Sequence, residues 1–465
     1  MSCFALQTFH QSLSAVYRPR RPEKSLLYRT VQNELESWLE MRSSEEIPSF
    51  IEKEFRSFLR CGILAYGFAR AHCSECGYDF LVAFSCKGRG FCPSCNTKRM
   101  AETAAYLTDQ VFPKAPVRQW VLSLPKRLRY YLQNNPKCIG AVLRIFMRAI
   151  EKALCRNIST APRGSRFGAV TFLQRFGSFL NLHFHFHSVV IDGLFDQKGN
   201  FYQVDFLSKE EVLLVEEKIR QKVIGFFLKK EFLNEDEALN MLSWKESGFS
   251  LDAGVCIESE DRDGLERLLR YCARPIFASS KLEITGERIK YTLAKPKARG
   301  EKILLLKPFE LLDRLAKLIP PPRFHRHMYH GVLAPHSPLR AKIVQFAGRE
   351  MTLTSAQMEK IILDRLNPEE SNLPGSNSIG ILIEEEKPRK VSFGWAKLIA
   401  RIYEVLPLVC PKCGETMKII AFIEDRLTIE KILNCLNEPI DPPPIASARG
   451  SPEPEFNYDQ RCEYD

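Results

Sequence analysis

The run Leu180-Asn-Leu-His-Phe-His-Phe-His-Ser-Val-Val-Ile-Asp-Gly193 constrains this chain more than any other segment. Alternate residues of a strand share a face. His183, His185 and His187 therefore point together, with Val189 and Ile191 continuing their face, while Phe184, Phe186 and Val190 line the other. Apolar residues on both faces mark a buried strand. Three of the nine histidines fall within five positions. Neutral imidazoles so grouped can bind a divalent cation. The plainer reading is a polar strand face whose histidines only hydrogen-bond. Burial favours the first, because clustered imidazoles away from water need a metal or an acid partner.

The neighbouring segments supply a sheet for that strand. Gly168 to Phe176 is a second strand-like run, joined to Leu180–Ile191 through a turn at Gly177 and Ser178. Gln119 to Leu124 is a short β-rich run ended by Pro125. Helical periodicity marks Ile139–Cys155, Val212–Phe227 and Leu265–Arg274, the last stopped by Pro275. Sheet segments broken by helices define an α+β domain over 111–345. Upstream, residues 24–60 carry Leu26, Leu27, Val31, Leu35 and Leu39, then Phe50, Ile51, Phe55 and Phe58, at helical spacing. Lys98–Val111 reads as a further helix. The expected organisation is an N-terminal helical and zinc-binding domain over 1–110 and the α+β domain over 111–345. A connecting segment and linker over 346–390, a small C-terminal module over 391–437 and a disordered tail over 438–465 complete it.

The cysteines point to zinc. Cys73-Ser-Glu-Cys76 and Cys92-Pro-Ser-Cys95 have the C-x2-C…C-x2-C spacing, and two such knuckles present four thiolates to one Zn²⁺. Gly77 permits the tight knuckle turn. Four thiolates close the ion's coordination, so Cys73, Cys76, Cys92 and Cys95 are expected to hold structural zinc. Cys86 lies between the pairs, as a substitute ligand or a bystander. Cys410-Pro-Lys-Cys413 is a second knuckle sequence without a nearby partner pair, and Cys435 and Cys462 are its lone candidates. No stretch of eighteen apolar residues exists, and Met1–Arg20 has no continuous apolar segment, so neither a membrane helix nor a secretory signal is expected. The fifteen cysteines then belong to a reducing compartment, the cytoplasm.

Lys and Arg outnumber Asp and Glu 67 to 56, a net charge of +11 that suits an anionic partner. From Lys87 to Tyr131 there are nine cationic and two acidic side chains, interleaved with Phe91, Tyr106, Phe112, Trp120, Tyr130 and Tyr131. Cations hold phosphates and aromatic rings stack on bases, a mixture that suits single-stranded nucleic acid. A solvated basic face would look similar.

Five motifs occur in order: Ser85-Cys-Lys-Gly-Arg-Gly-Phe-Cys-Pro-Ser-Cys95, Arg118-Gln-Trp-Val-Leu-Ser-Leu-Pro125, the histidine strand, Arg270-Tyr-Cys-Ala-Arg-Pro275 and Tyr329-His-Gly-Val-Leu-Ala-Pro335. Together they resemble the rolling-circle HUH transposases of the insertion-sequence ninety-one type, over residues 55–437. The resemblance implies an N-terminal zinc-ribbon module and an HUH-type antiparallel sheet flanked by helices. It implies that His185 and His187 hold Mg²⁺ or Mn²⁺ on the central strand, with His183 as an additional candidate. It implies single-stranded DNA at transposon ends as the partner, contacted by Lys87, Arg89, Lys98, Arg99, Arg270 and Arg274, in a bacterial, DNA-associated setting.

The resemblance also places the nucleophile at Tyr271. On a helix, Leu265, Leu268, Leu269 and Cys272 form one apolar stripe, with Tyr271 at its edge beside Arg267, Arg270 and Arg274. Periodicity alone would make Tyr271 a rim residue packing its ring; the resemblance makes it the residue that nicks DNA and keeps a 5′-phosphotyrosine link. Some relatives carry a second tyrosine four residues upstream, where this chain has Arg267. A second cleavage would then draw on a second protomer, as in a homodimer, or the freed 3′-hydroxyl would reverse the first link. His325, His327, His330 and His336 fall in a basic segment read as DNA-contacting and not as metal ligands. The main alternative is a non-catalytic zinc-ribbon DNA-binding protein. A barrel hydrolase of small molecules would need eight strand–helix units that the sequence does not show, and no P-loop motif supports an ATP-driven factor.

Overall fold

The computed structural model describes residues 20–42, 47–204, 206–244, 248–293, 300–347, 410, 412–415 and 417–449. The first nineteen residues, the expected linker from residue 348, most of the C-terminal module before residue 410 and the tail from residue 450 lie outside them.

Helix α1 (Leu26–Met41) starts at Ser25, whose hydroxyl accepts from the Tyr28 backbone N–H, and buries Leu27, Tyr28, Val31, Leu35 and Trp38. Helix α2 (Ser49–Arg60) buries Phe55, Phe58 and Leu59. A hairpin of β1 (Phe68–His72) and β2 (Asp79–Ala83) leads to helix α3 (Pro93–Gln110). Next come β3 (Val117–Ser123), α4 (Lys126–Asn134), α5 (Pro136–Asn157), β4 (Gly168–Phe176), β5 (Leu182–Ile191), β6 (Gly193–Phe195) and β7 (Phe201–Gln203). Helix α6 (Lys209–Lys229) opens with a capping box of Ser208 and Glu211. The chain continues through α7 (Glu235–Ser243), β8 (Ser250–Ile257) and α8 (Arg262–Cys272), then β9 (Leu282–Thr285), β10 (Arg288–Thr292), β11 (Ile303–Leu306) and α9 (Pro308–Leu318). It ends in β12 (His327–Gly331), α10 (Arg340–Val344), β13 (Lys418–Ile423) and α11 (Arg426–Cys435).

The architecture is α+β, with antiparallel sheets. The main sheet runs β12-β4-β5-β3-β8, so the histidine strand β5 is central. Alternation gives the sheet two unlike faces. One carries Trp120, Leu122, Leu173, Phe184, Phe186 and Val190 and is covered by α4–α7 through Leu128, Phe146, Ile150, Val223 and Phe227. Burying each such side chain contributes roughly 1.5–3 kcal/mol. The opposite face is divided. Its apolar end, with Val117, Val170, Val189 and Ile191, is covered by α3 and α8 through Ala104, Leu107, Leu265, Leu268 and Leu269. Its other end carries His183, His185 and His187. Helix α8 therefore ends where the face turns from apolar to polar, and that end bears Tyr271.

Gly331, in the Tyr329–Pro335 motif, has φ of +59°, and a Cβ there would collide with the Phe167 carbonyl oxygen. The glycine lets the edge strand β12 close onto the start of β4, where Val332 N–H donates to Phe167 at 2.8 Å.

Three expectations about organisation change. The N-terminal helices share one core with the β9–β11 sheet and α9, where Leu27, Val31, Leu35 and Trp38 pack with Leu282, Tyr291, Leu311 and Leu315. Two short helices cannot bury their stripes alone and recruit a partner far along the chain. Second, the C-terminal module is not a unit apart: β13 pairs antiparallel with β1, and Phe68 and Leu81 pack on Ile429 and Leu433. Third, the tail does not begin in disorder at residue 438, since residues 444–449 run along α1. There Ala446 N–H donates to Gln32 at 3.1 Å and Arg449 N–H to Ser37 at 2.8 Å.

Candidate functional site

Three elements meet at the polar end of the sheet. On β5, His185 is 7% and His187 3% exposed, while His183 is half-buried. Successive ring centroids are 4.9 Å apart, stacked for His183–His185 and edge-on for His185–His187. Burial holds all three imidazoles below the ordinary histidine value. His183 falls to about 4, with Arg129 and His185 adding to the effect. His185 falls to about 4 against an opposing hydrogen bond to the His183 backbone, and His187 to about 3 with help from His185 and Arg274. All three are neutral at pH 7 and keep a nitrogen lone pair. The Nε2 atoms of His183 and His187 are buried without a hydrogen-bond partner among the described residues.

Two glutamines fasten this row to its neighbours. Gln174 lies opposite His185 on β4, with its Oε1 3.1 Å from His185 Nε2 and the His183 carbonyl 3.0 Å from His185 Nδ1; the neutral ring has one N–H and donates to one of these two oxygens only. The same side chain donates to the Cys272 carbonyl at 2.8 Å and the Tyr271 carbonyl at 3.3 Å, at the end of α8. Gln119, on β3, donates to His187 Nδ1 at 3.0 Å and to Cys272 Sγ at 3.3 Å. The glutamines therefore tie the histidine strand to the helix that carries Tyr271. The Tyr271 ring stands edge-on to His187 with centroids 5.5 Å apart, half-exposed at the mouth of the site. The Arg274 guanidinium lies 4.7 Å over the Tyr271 ring and 5.4 Å over Phe176.

A cleft beside the histidines is lined by Arg99, Gln174, Arg274, Arg326 and His327. Arg326 is held by Asn96 Oδ1 at 2.5 Å, and burial beside Arg99 and Arg89 lowers it to about 10, still cationic at neutral pH. Arg99 is fixed by the carbonyls of Gly88 and Lys87 at 3.0 and 2.9 Å. Of the basic residues named from sequence, Arg99 and Arg274 share this cleft. Lys87 and Arg89 are exposed on the loop between β2 and α3. Lys98 sits 3.8 Å from Glu102 and Arg270 3.3 Å from Glu266. Gln119, Gln174 and Arg326 were missed. A two-residue turn at Gly177 and Ser178 would set Gln174 opposite Asn181, and only the wider turn and the register shift between Gln174 and Phe176 set it opposite His185. Arg326 lies in the basic segment read as DNA-contacting, where no single residue stands out.

The cysteines do gather, in a different grouping from the expected one. Among the described residues, two quartets bring all their sulfurs within 4.8 Å of one another: Cys61, Cys86, Cys92 and Cys95, and Cys73, Cys76, Cys410 and Cys413. The three histidines form no such set with one another. Cys73 and Cys76 sit at the tip of the β1–β2 hairpin, and Cys92 and Cys95 follow its open end. A five-residue strand carries the chain about 17 Å, so the two pairs cannot share one ion. Three sulfur pairs of the first quartet are 3.4–3.7 Å apart and two of the second are 3.5 Å apart. A tetrahedron of thiolates around Zn²⁺ at about 2.3 Å has edges of about 3.8 Å, so both quartets fit. Cys86 is a member and not a bystander, and Cys61, outside any knuckle, is the fourth.

His330, on β12, is a half-buried imidazole whose Nε2 is shut off from solvent and partnerless among the described residues; desolvation lowers it to about 4. Its unfolded value is near 6.5. The folded state therefore binds fewer protons between those values, and stability falls as pH drops from about 6.5 toward 4. Discounted for partial exposure, the loss is about 1–2 kcal/mol. In paired urea titrations at pH 7 and 5, His330→Phe should show a smaller acid loss than wild type; identical losses would exclude His330 as a source.

An imidazole row, a tyrosine at its mouth, a cationic cleft and two thiolate quartets on an α+β frame fit a DNA-processing enzyme of the transposase class. The family model described as "Putative transposase" matches residues 168–340, and that described as "Transposase zinc-binding domain" matches residues 31–124. The chain is 23% identical over 338 residues to the transposase for insertion sequence element IS801 of Pseudomonas savastanoi pv. phaseolicola, covering 69% of this chain and 78% of that protein. No solved structure matches it. The chain belongs to the transposases of the IS91 type, with an N-terminal zinc-binding domain. Structural zinc is accordingly the ion for its thiolates. No helix among the described residues is long and apolar enough to cross a membrane.

Proposed function

We propose that this transposase nicks single-stranded DNA at the ends of its element, with Tyr271 as nucleophile and a divalent metal beside the histidine strand. The observation that carries the reading is the Tyr271 ring against His187, under Arg274. Arg274, Arg99 and Arg326 would hold the phosphate backbone in the cleft. His185 and His187, with His183 in addition, would hold Mg²⁺ or Mn²⁺, which when bound polarises a phosphate oxygen. Turning the Gln119 amide by half a rotation would present its oxygen to His187 Nδ1–H and leave the Nε2 lone pair free for the ion.

Tyr271 would then form a bond from its phenolic oxygen to phosphorus while the bond from phosphorus to the 3′-oxygen breaks. The phenol gives up its proton, the leaving oxygen gains one, and a 5′-phosphotyrosine and a free 3′-hydroxyl result. That hydroxyl primes replication or strand transfer in a rolling-circle process. With Arg267 in place of a second tyrosine, a second cleavage draws on another protomer of a homodimer or on reversal by the 3′-hydroxyl. The protein would work in the cytoplasm, on the DNA of its host cell.

The test uses labelled single strands drawn from the element's ends, with and without Mg²⁺ or Mn²⁺. Wild type should give a protein–DNA adduct that requires the metal, and His187→Ala should bind the strand but lose the adduct. Binding without an adduct in wild type, under either metal, would replace this reading with the non-catalytic DNA-binding protein.

A further inference from the structure

The zinc-binding unit is not confined to the N-terminal segment that carries its cysteines. We infer that it holds two zinc ions, and that the second is bound by Cys73 and Cys76 together with Cys410 and Cys413 from the far end of the chain. The two half-sites have the same local build. Cys73 N–H bonds Tyr78 at 2.9 Å and Gly77 N–H bonds Cys73 at 3.0 Å. Cys410 N–H bonds Glu415 at 2.7 Å and Gly414 N–H bonds Cys410 at 2.9 Å. Gly77 and Gly414 have φ of +70° and +80°, the left-handed conformation that closes each knuckle.

The strand pairing sets the two knuckles face to face. β13 follows the second knuckle and pairs with β1, which precedes the first, with His72 opposite Lys418. Their sulfurs approach crosswise, Cys73 to Cys413 and Cys76 to Cys410, both at 3.5 Å. Ala71 and Met417 pack beside the buried Cys73 and Cys410. Four sulfurs within 4.8 Å of one another, none of them in a disulfide, form a closed tetrathiolate site whose soft donors suit Zn²⁺. The site joins the hairpin tip to the C-terminal segment.

Full-length protein, purified under reducing conditions, should contain two zinc ions per chain by elemental mass spectrometry. Cys410→Ser with Cys413→Ser should leave one, as should Cys92→Ser with Cys95→Ser. A single ion in wild type, or an unchanged two in the Cys410/Cys413 variant, overturns the inference. A second measurement needs no variant. Cys413, Cys155 and Cys435 are all exposed, but only Cys413 is a zinc ligand here. In zinc-loaded wild type, iodoacetamide should modify Cys155 and Cys435 readily and spare Cys413. Chelation should then open Cys73, Cys76, Cys410 and Cys413 together. Modification of Cys413 at the rate of Cys435 before chelation would refute the site.

Discussion

Chains carrying Tyr271→Phe are expected to bind the element's single strands as tightly as wild type and to form no covalent adduct with them. The substitution removes one oxygen from a half-exposed ring at the end of α8. A surface change of that size alters stability within about 0.5 kcal/mol. The Phe ring still offers its face to Arg274, so the guanidinium stays in place. What is lost is the atom that bonds to phosphorus, and the rate of strand cleavage should fall by roughly a thousandfold or more. The loss should appear in the chemical step and not in strand affinity, measured by single-turnover cleavage beside a binding titration. An adduct that persists in the variant would move the nucleophile to another tyrosine.

The second large effect concerns folding. Asp192, 6% exposed at the end of β5, receives Arg118 Nη2 at 2.7 Å and Arg118 Nε at 3.1 and 3.2 Å, and Arg118 Nη1 donates to the Ala253 carbonyl at 3.1 Å. The pair links β5, β3 and β8. Burial pushes the Asp192 carboxyl up despite the guanidinium, so desolvation is the larger influence. Asp192→Ala strands a buried cation and should cost about 3–5 kcal/mol. Arg118→Leu with Asp192→Leu removes both charges and should lie close to wild type or above it. Urea unfolding of the single and double variants decides the matter. A single variant that loses less than about 1 kcal/mol would mean that water reaches the pair.

The parts legible in the sequence were those whose signal is local. β4 was read at its observed bounds, and the stripe of Leu265, Leu268, Leu269 and Cys272 is buried as its spacing indicated. The alternation around His183, His185 and His187, with apolar residues on both faces, marks a buried strand, and its central place in the sheet is what the family resemblance implies. The helix over Ile139–Cys155 extends only a few residues further at each end. The missing parts depend on register or on long-range closure. The pairing of β5 with β4 and β3 brings Gln174 and Gln119 to the histidines; the turn at Gly177 and Ser178 gives the β4–β5 pair but not its register, and no residue pattern states the β5–β3 pair. The cysteine grouping failed for a related reason. The spacing of two knuckles says nothing about the hairpin that separates them, nor about Cys61 or the Cys410 knuckle that complete the quartets. Cys61 is a lone cysteine at the end of α2, and the backbone bond from Gly62 N–H to Phe84, at 2.9 Å, with that from Cys86 N–H to Cys61 Sγ, at 3.4 Å, holds it beside Cys86.

The pairing of β13 with β1 has a consequence for how the protein is born. During synthesis β1 leaves the ribosome long before its partner exists, and at roughly 5–20 residues per second the wait is on the order of tens of seconds. Throughout that interval one edge of β1 is open, and Cys73 and Cys76 have no companions. A message cut short before Lys418 yields a polypeptide whose sheet lacks its last strand, however complete its histidine row. Integrity of the reading frame is thus inspected by the fold itself: a copy of the gene broken near its 3′ end gives a protein with an unfinished zinc-binding unit.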